Sequence, residues 1–115
     1  MLSRQNRLTS REVEELFKGR AQTAHAVSFS VRVRRGAAAE APKATVVAGA
    51  KIFKSAVSRA RVKRRLRHAL RSIIAQCAPG VQIVVMAKES ALKDDFVSMA
   101  NQLRAALRKL QVLSE

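Results

Sequence analysis

The chain has 115 residues, 23 Lys and Arg against 8 Asp and Glu, and a formal net charge of +15. That length predicts one domain, 1–115, and 48% hydrophobic residues suffice for a core, which excludes a disordered chain. A single Cys, Cys77, excludes an intrachain disulfide and a Cys-based metal site. No apolar run nears the ~18 residues of a membrane span, and the charged start lacks the apolar stretch of a secretory signal, so the expectation is a small, soluble, cytoplasmic protein.

Thr9-Ser10-Arg11-Glu12 reads as a capping box. It opens a short helix with Val13, Leu16 and Phe17 on one face and Gly19 at its end. Residues 25–34 alternate: Val27, Phe29, Val31 and Val33 face one way, and Ser28, Ser30, Arg32 and Arg34 the other. This predicts a strand with one buried face, with room for one more short strand near residues 22–26. Residues 35–42 are a small-residue linker punctuated by Gly36 and Pro42. Thr45, Val46 and Val47 begin a strand that runs into a basic loop at residues 51–55.

Residues 57–77 carry Val62, Leu66, Ala69, Leu70, Ile73, Ile74 and Cys77 on one helical stripe. Arg61, Arg64, His68 and Arg71 fall on the opposite face, and Lys63, Arg65 and Arg67 flank the stripe. Arg59 shares the stripe's bearing but lies about two turns before Leu66, so it should project over the rim of the core. Pro79-Gly80 turns the chain into a central strand over residues 81–87. Asp94 and Asp95 suit the positive end of a last helix. That helix places Phe96, Met99, Ala100, Leu103, Leu107 and Leu110 at helical spacing, with Arg104, Arg108 and Lys109 in its closing turns. The predicted order is α-β-β-α-β-α. The simplest architecture is α+β, with helices against a small mixed sheet. Residues 45–87 could form a β-α-β crossover, which the general rule makes right-handed if its strands are parallel.

No acid lies between Ala41 and Lys88, a stretch of 48 residues that holds eleven bases. Such a field repels itself unless a polyanion neutralises it, and phosphate backbones are the usual partner. A merely solvated face would mix signs, and a lipid surface would call for bulky apolar residues beside the basic ones.

Catalytic constellations are missing. His25 and His68 stand 43 residues apart without ligand-spaced carboxylates or Cys. Asp94-Asp95 reads as a helix start rather than a metal site, and Cys77 reads as a buried thiol. No phosphate-binding loop or dinucleotide fingerprint appears. Of the four Phe, Phe96 is assigned to the core. Phe17 and Phe29 stay open between core and a wall on which an unpaired base stacks. Phe53, beside Lys51 and Lys54, is the aromatic best placed to meet RNA.

Residues 51–67 resemble the signature of the bacterial ribonuclease P protein component. That family has a lysine-rich loop followed by Gly-Asn-Ala-Val-x-Arg-Asn-Arg-x-Lys-Arg. Ala56, Val57, Arg59, Arg61, Lys63 and Arg64 match in register, and Arg67 matches a further basic position. Arg7-Leu8, Leu16-Phe17-Lys18 and Met86-Ala87-Lys88 are family-like as well. Lys54-Ser55 replaces the Gly-Asn, and Ala60 replaces the Asn between the arginines. Ala60 has no hydrogen-bonding side chain, so no metal role is carried over.

The resemblance implies a single-domain, two-layer α/β sandwich like one domain of certain ribosomal proteins, with an unusual left-handed β-α-β crossover. It also implies a role as the accessory protein subunit of an endoribonuclease whose RNA subunit holds the active site. That enzyme removes the 5′ leader of precursor tRNA by metal-dependent hydrolysis. Mg2+ would then sit in the RNA and no cofactor on the protein. Mapped onto this sequence, Arg59, Arg61, Lys63, Arg64, Arg65, Arg67 and Arg71 would meet the RNA subunit. Phe17, Phe29, Val31, Lys51, Phe53 and Lys54 would meet the leader, with Lys51, Lys54 and Arg59 at the border between the two. One protein monomer per RNA, and no membrane, completes the expectation. The competing readings are a ribosomal or general RNA-binding protein without a processing role, a DNA-binding protein using Arg61 to Arg71 in the major groove, and a self-sufficient nuclease, for which carboxylate clusters are lacking.

Overall fold

The computed structural model describes residues 4–19, 21–36 and 40–113. Residues 37–39 of the expected linker lie outside the described residues. The first helix, α1, spans Ser10–Lys18. Its capping box forms as the sequence predicts: the Glu12 amide donates to Thr9 Oγ1 at 3.2 Å, and the Thr9 amide donates to Glu12 Oε1 at 3.0 Å. Gly19 ends it by donating to the Glu15 carbonyl. Strands β1 (Gln22–His25), β2 (Phe29–Arg35), β3 (Lys43–Val47) and β4 (Val81–Ala87) form one sheet in the order β1-β2-β4-β3. β4 is antiparallel to β2 and parallel to β3. Helix α2 (Ala56–Ile73) joins β3 to β4, and α3 (Phe96–Lys109) follows β4.

The alternating run of residues 25–34 is two strands, not one. The chain reverses at residues 26–28, where the Ala26 amide donates to the Phe29 carbonyl at 2.8 Å. The Ser28 amide donates to Gln102 Oε1 at 3.0 Å, and its hydroxyl donates to Asp94. Val27 keeps the phase of the alternation but sits on the turn, 76% exposed. The hairpin makes β1 the extra strand for which the sequence left room.

Strand pairing sorts the side chains onto two faces. On one face Ala24, Phe29, Val31, Val33, Ala44, Val46, Val81, Ile83, Val85 and Ala87 form the main core. Val62, Leu66, Ala69, Leu70 and Ile73 of α2 and Met99, Leu103, Ala106 and Leu107 of α3 complete it. This layer of sheet and two helices is the expected sandwich. The other face carries Thr23, His25, Ser30, Arg32, Arg34, Thr45, Gln82, Val84 and Met86. Helix α1 covers part of it, with Leu16 and Leu8 buried against Val84. The sheet therefore has helices on both sides.

Three side chains that the resemblance assigned to the leader cleft belong to the core. Phe29 and Val31 are fully buried and Phe53 is 1% exposed. Phe29 and Val31 share the face that α2 and α3 cover. Phe53 turns inward because the amides of Ile52 and Phe53 both donate to the Gly49 carbonyl, closing a turn that leaves Ile52 outside. Phe96 corrects in the opposite direction: expected in the core, it is 41% exposed at the start of α3.

Helix α3 begins as the sequence suggests, with Asp95 accepting from the Ser98 amide at 2.8 Å. Asp94 instead accepts from Ser28 and Gln102 and ties this helix start to the β1–β2 turn. Burial costs its charged form, but the hydrogen bonds from Ser28, Ser98, Gln102 and the Asp95 amide outweigh that and hold its carboxyl below the ordinary value. Cys77 is buried, and desolvation pushes its thiol up to about 11, so it stays protonated near neutrality.

Candidate nucleic-acid interface

Helix α2 is 18 residues long and has no acid in its first turn. Ser55 caps it by accepting from the Ser58 amide at 3.4 Å. The apolar stripe of Val62, Leu66, Ala69, Leu70 and Ile73 holds it against the sheet and α3, so its remaining circumference faces outward. Arg61, Arg64, Arg67 and Arg71 are exposed there, with His68, and Lys63 is half-buried. Among the described residues, no carboxylate lies within ion-pairing distance of any of these bases, whereas Lys43, Arg34 and Arg11 pair with Glu12, Glu15 and Glu40 elsewhere.

An open groove of about 590 Å³ runs along this face, lined by Ala56, Arg59, Ala60, Lys63, Arg64, Arg67 and His68. The two alanines, one turn apart, are its shortest side chains, and the long bases stand around them. Ala60 thus gives this helix a low point through which a phosphate chain can approach the backbone closely. Guanidinium groups bind phosphate through paired N–H donors, which positions the chain as well as attracting it.

Two of the expected RNA-subunit contacts do other work. Arg65 lies on the flank toward α3 and donates from Nη1 to the carbonyls of Leu92 and Asp94 at 3.2 and 2.9 Å. It locks the short 3-10 turn Glu89–Lys93 and the start of α3 onto α2. Arg59 donates from Nη1 to the Phe53 carbonyl at 2.7 Å and braces the basic loop. It stands at the rim, where its helical bearing puts it. Lys51 and Lys54 of that loop are exposed.

The loop leaves β3 at Val47, whose cross-strand neighbours along that end of the sheet are Met86, then Ser30, then His25. The basic loop and the start of α2 therefore border the part of the α1-side face that α1 leaves open. Phe17 stands at this opening, 42% exposed, with the Arg32 guanidinium 5.4 Å from its ring centre. Such stacking is a cation–π contact. Arg32 Nε is buried without a hydrogen-bond partner, so its guanidinium is not fully satisfied within the chain. Of the side chains expected to meet a leader, Phe17, Lys51 and Lys54 stand at this opening, while Phe29, Val31 and Phe53 are on the wrong side of the backbone to touch it.

The sequence reading missed Arg32 as a site residue. The alternation had already separated it from Phe29 and Val31; what it lacked was knowledge of the face on which α1 lies.

Among the described residues no three His, Cys, Asp or Glu side chains converge. Asp94, Asp95 and Glu12 all accept from protein N–H or O–H donors. No helix is long and apolar enough to cross a membrane among the described residues.

Comparison with known proteins points one way. The Ribonuclease P family model matches residues 2–111. The ribonuclease P protein component of Pseudanabaena sp. is 30% identical over 113 residues, which is 98% of this chain and 97% of that protein. The component from Streptomyces avermitilis is 34% identical, over 96% of this chain and 95% of that protein. In solved structures, the RNase P protein of Staphylococcus aureus superposes with a TM-score of 0.79 at 17% identity, over 95% of this chain and 98% of that one. The protein from Thermotoga maritima gives 0.72 at 22% identity, over 86% and 92%. These two likenesses concern the fold.

Proposed function

This chain belongs to the ribonuclease P protein family, and from that premise we propose how its surface divides the work of tRNA 5′ maturation. As a component of ribonuclease P it is the protein subunit of a ribonucleoprotein endoribonuclease, with an RNA subunit as its partner. On our reading the outward face of α2 docks on that RNA through Arg61, Lys63, Arg64, Arg67 and Arg71, with Arg65 holding the helix in place from behind. The 5′ leader of precursor tRNA lies across the open α1-side face, over Phe17 and Arg32 and past Lys51 and Lys54. A charged groove next to an apolar platform is how single strands are gripped without strict base choice. One protein monomer serves one RNA, in the cytoplasm. Mg2+ belongs to the RNA active site, where it supplies the Lewis-acid chemistry of phosphodiester hydrolysis.

The single observation that carries this reading is the unpaired cationic face of α2, held rigidly by a continuous apolar stripe. The protein then aids catalysis by positioning. Holding leader and RNA subunit together makes their encounter intramolecular, and no acid or base from this chain is needed.

The test is cleavage of a leader-bearing precursor tRNA at low magnesium, with RNA subunit alone, protein alone, and both. Efficient cleavage only with both is expected. Cleavage by protein alone, or no gain over RNA alone, would overturn the assignment.

A further inference from the structure

Phe96 occupies the first position of α3 with 41% of its surface exposed, and Val97 beside it is 65% exposed. An exposed Phe does nothing for a helix start that Asp95 already caps, since aromatic residues lose side-chain freedom in helices. Its ring centre lies 5.7 Å from that of His68, with the planes inclined by 68°. In an edge-to-face pair, at least one face of each ring is left outside the contact.

The pair sits within the cationic field of α2. His68 follows Arg64 by one turn, precedes Arg71 by one turn, and lies two turns after Arg61. It also forms one end of the groove that Arg64 and Arg67 line. The neighbouring carboxylates do not cancel this charge by pairing with α2. Asp94 turns to Ser28 and Gln102, and Asp95 turns to the Ser98 amide. Arg65 fixes the pair's geometry, because its bonds to the Leu92 and Asp94 carbonyls tie the residues just before Phe96 to the helix that carries His68.

We propose that Phe96 and His68 form a stacking platform for an unpaired nucleotide of the RNA subunit, at the α3 border of the cationic face. This site is separate from the Phe17–Arg32 opening and rests on the docking of α2 against RNA. The chemistry is that of single-strand recognition: a base stacks on the ring pair while Arg64 and Arg71 take the phosphates on either side of it. Stacking tolerates any base, so the platform selects for an unstacked position and not for a sequence.

The chain contains no Trp, so Phe96→Trp introduces a single fluorescent reporter that keeps the stacking surface. Its emission should be quenched when a transcript of the RNA subunit is added to saturation. Phe96→Leu keeps apolar bulk but removes the π face. It should weaken binding of the RNA subunit about tenfold, with an unchanged melting temperature and an unchanged slope of log affinity against log salt, since stacking releases no counterions. Arg64→Ala, measured beside it, should lower that slope by about one.

Wild-type affinity for Phe96→Leu, or Trp emission indifferent to saturating RNA, overturns the platform and leaves the ring pair to a protein partner. An unchanged slope for Arg64→Ala overturns the docking of α2 instead, so the two failures are told apart.

Discussion

On the α1 side of the sheet, Lys43 reaches Glu12 at 3.2 Å and Glu40 at 3.8 Å, and Arg34 reaches Glu15 at 3.7 Å. On α2, by contrast, no base has a carboxylate partner among the described residues. Both regions are rich in cations, yet on one Lys43 and Arg34 pair with carboxylates of the chain and on the other no base does. The difference follows the order of the sequence. Four of the eight acids, Glu12, Glu14, Glu15 and Glu40, precede residue 41, and α1 brings Glu12 and Glu15 to the sheet face opposite α2. The fold is thus secured on the α2 side by apolar burial and by hydrogen bonds from Arg59 and Arg65 to carbonyls, without ion pairs, and the remaining charge there is left for an external polyanion.

The strongest way to break this comparison is to remove the apolar hold. Leu66 is fully buried between α2 and the sheet. Leu66→Ala should lower the unfolding free energy by about 2–5 kcal/mol, seen as a lower urea midpoint. A loss well under 1 kcal/mol would mean that something other than the stripe holds α2 in place. Next in size is the complementary change. Arg61, Arg64 and Arg67 replaced together by Ala should leave stability within about 0.5 kcal/mol of wild type. The same triple variant should reduce the salt slope of RNA binding by about two to three. A variant that unfolds readily while binding RNA normally would reverse the roles assigned to the two flanks of the helix.

How far these roles were legible depended on what each residue's pattern encodes. The stripe of α2 was readable because period 3.6 and a continuous set of bases mark one helix with two faces. The capping box at Thr9 and the central strand of residues 81–87 were equally local. Phe29 and Val31 show the limit. Alternation states that they share a face suited to burial, but not that α2 and α3 close it to a partner, and that was decided by helices far away in sequence. Phe53 sits in a loop, where the turn at Gly49 sets its direction and no period exists to read. Arg65 and Arg67 both flank the stripe, but Arg65 lies on the flank that meets the carbonyls before α3, and a helical wheel contains no α3. Phe96 matched the helical spacing of its neighbours, yet at the first turn it projects beyond the layer that Met99 begins.

The smallest expected effect sharpens the α1 side. Glu12 accepts from the Thr9 amide through Oε1 and faces Lys43 Nζ through Oε2, with Gln82 Nε2 at 3.5 Å. The Thr9 amide bond holds its carboxyl below the ordinary value, partial burial opposes this, and Lys43 adds to the lowering. A lowered carboxyl contributes stability above its unfolded pKa, about 4.3, and that contribution is lost as pH falls through the folded value. Glu12→Gln keeps an oxygen for the Thr9 amide, so the capping box survives. It places an amide N–H, however, against the donors of Lys43 and Gln82. At neutral pH the variant should be less stable by about 0.5–1 kcal/mol. As the pH falls through the folded value the difference should shrink, because the wild-type carboxyl then takes up its proton. A difference that persists undiminished into acid would show that shape, and not charge, binds α1 to the sheet. The internal neutralisation that distinguishes this side from α2 would then lose its main support.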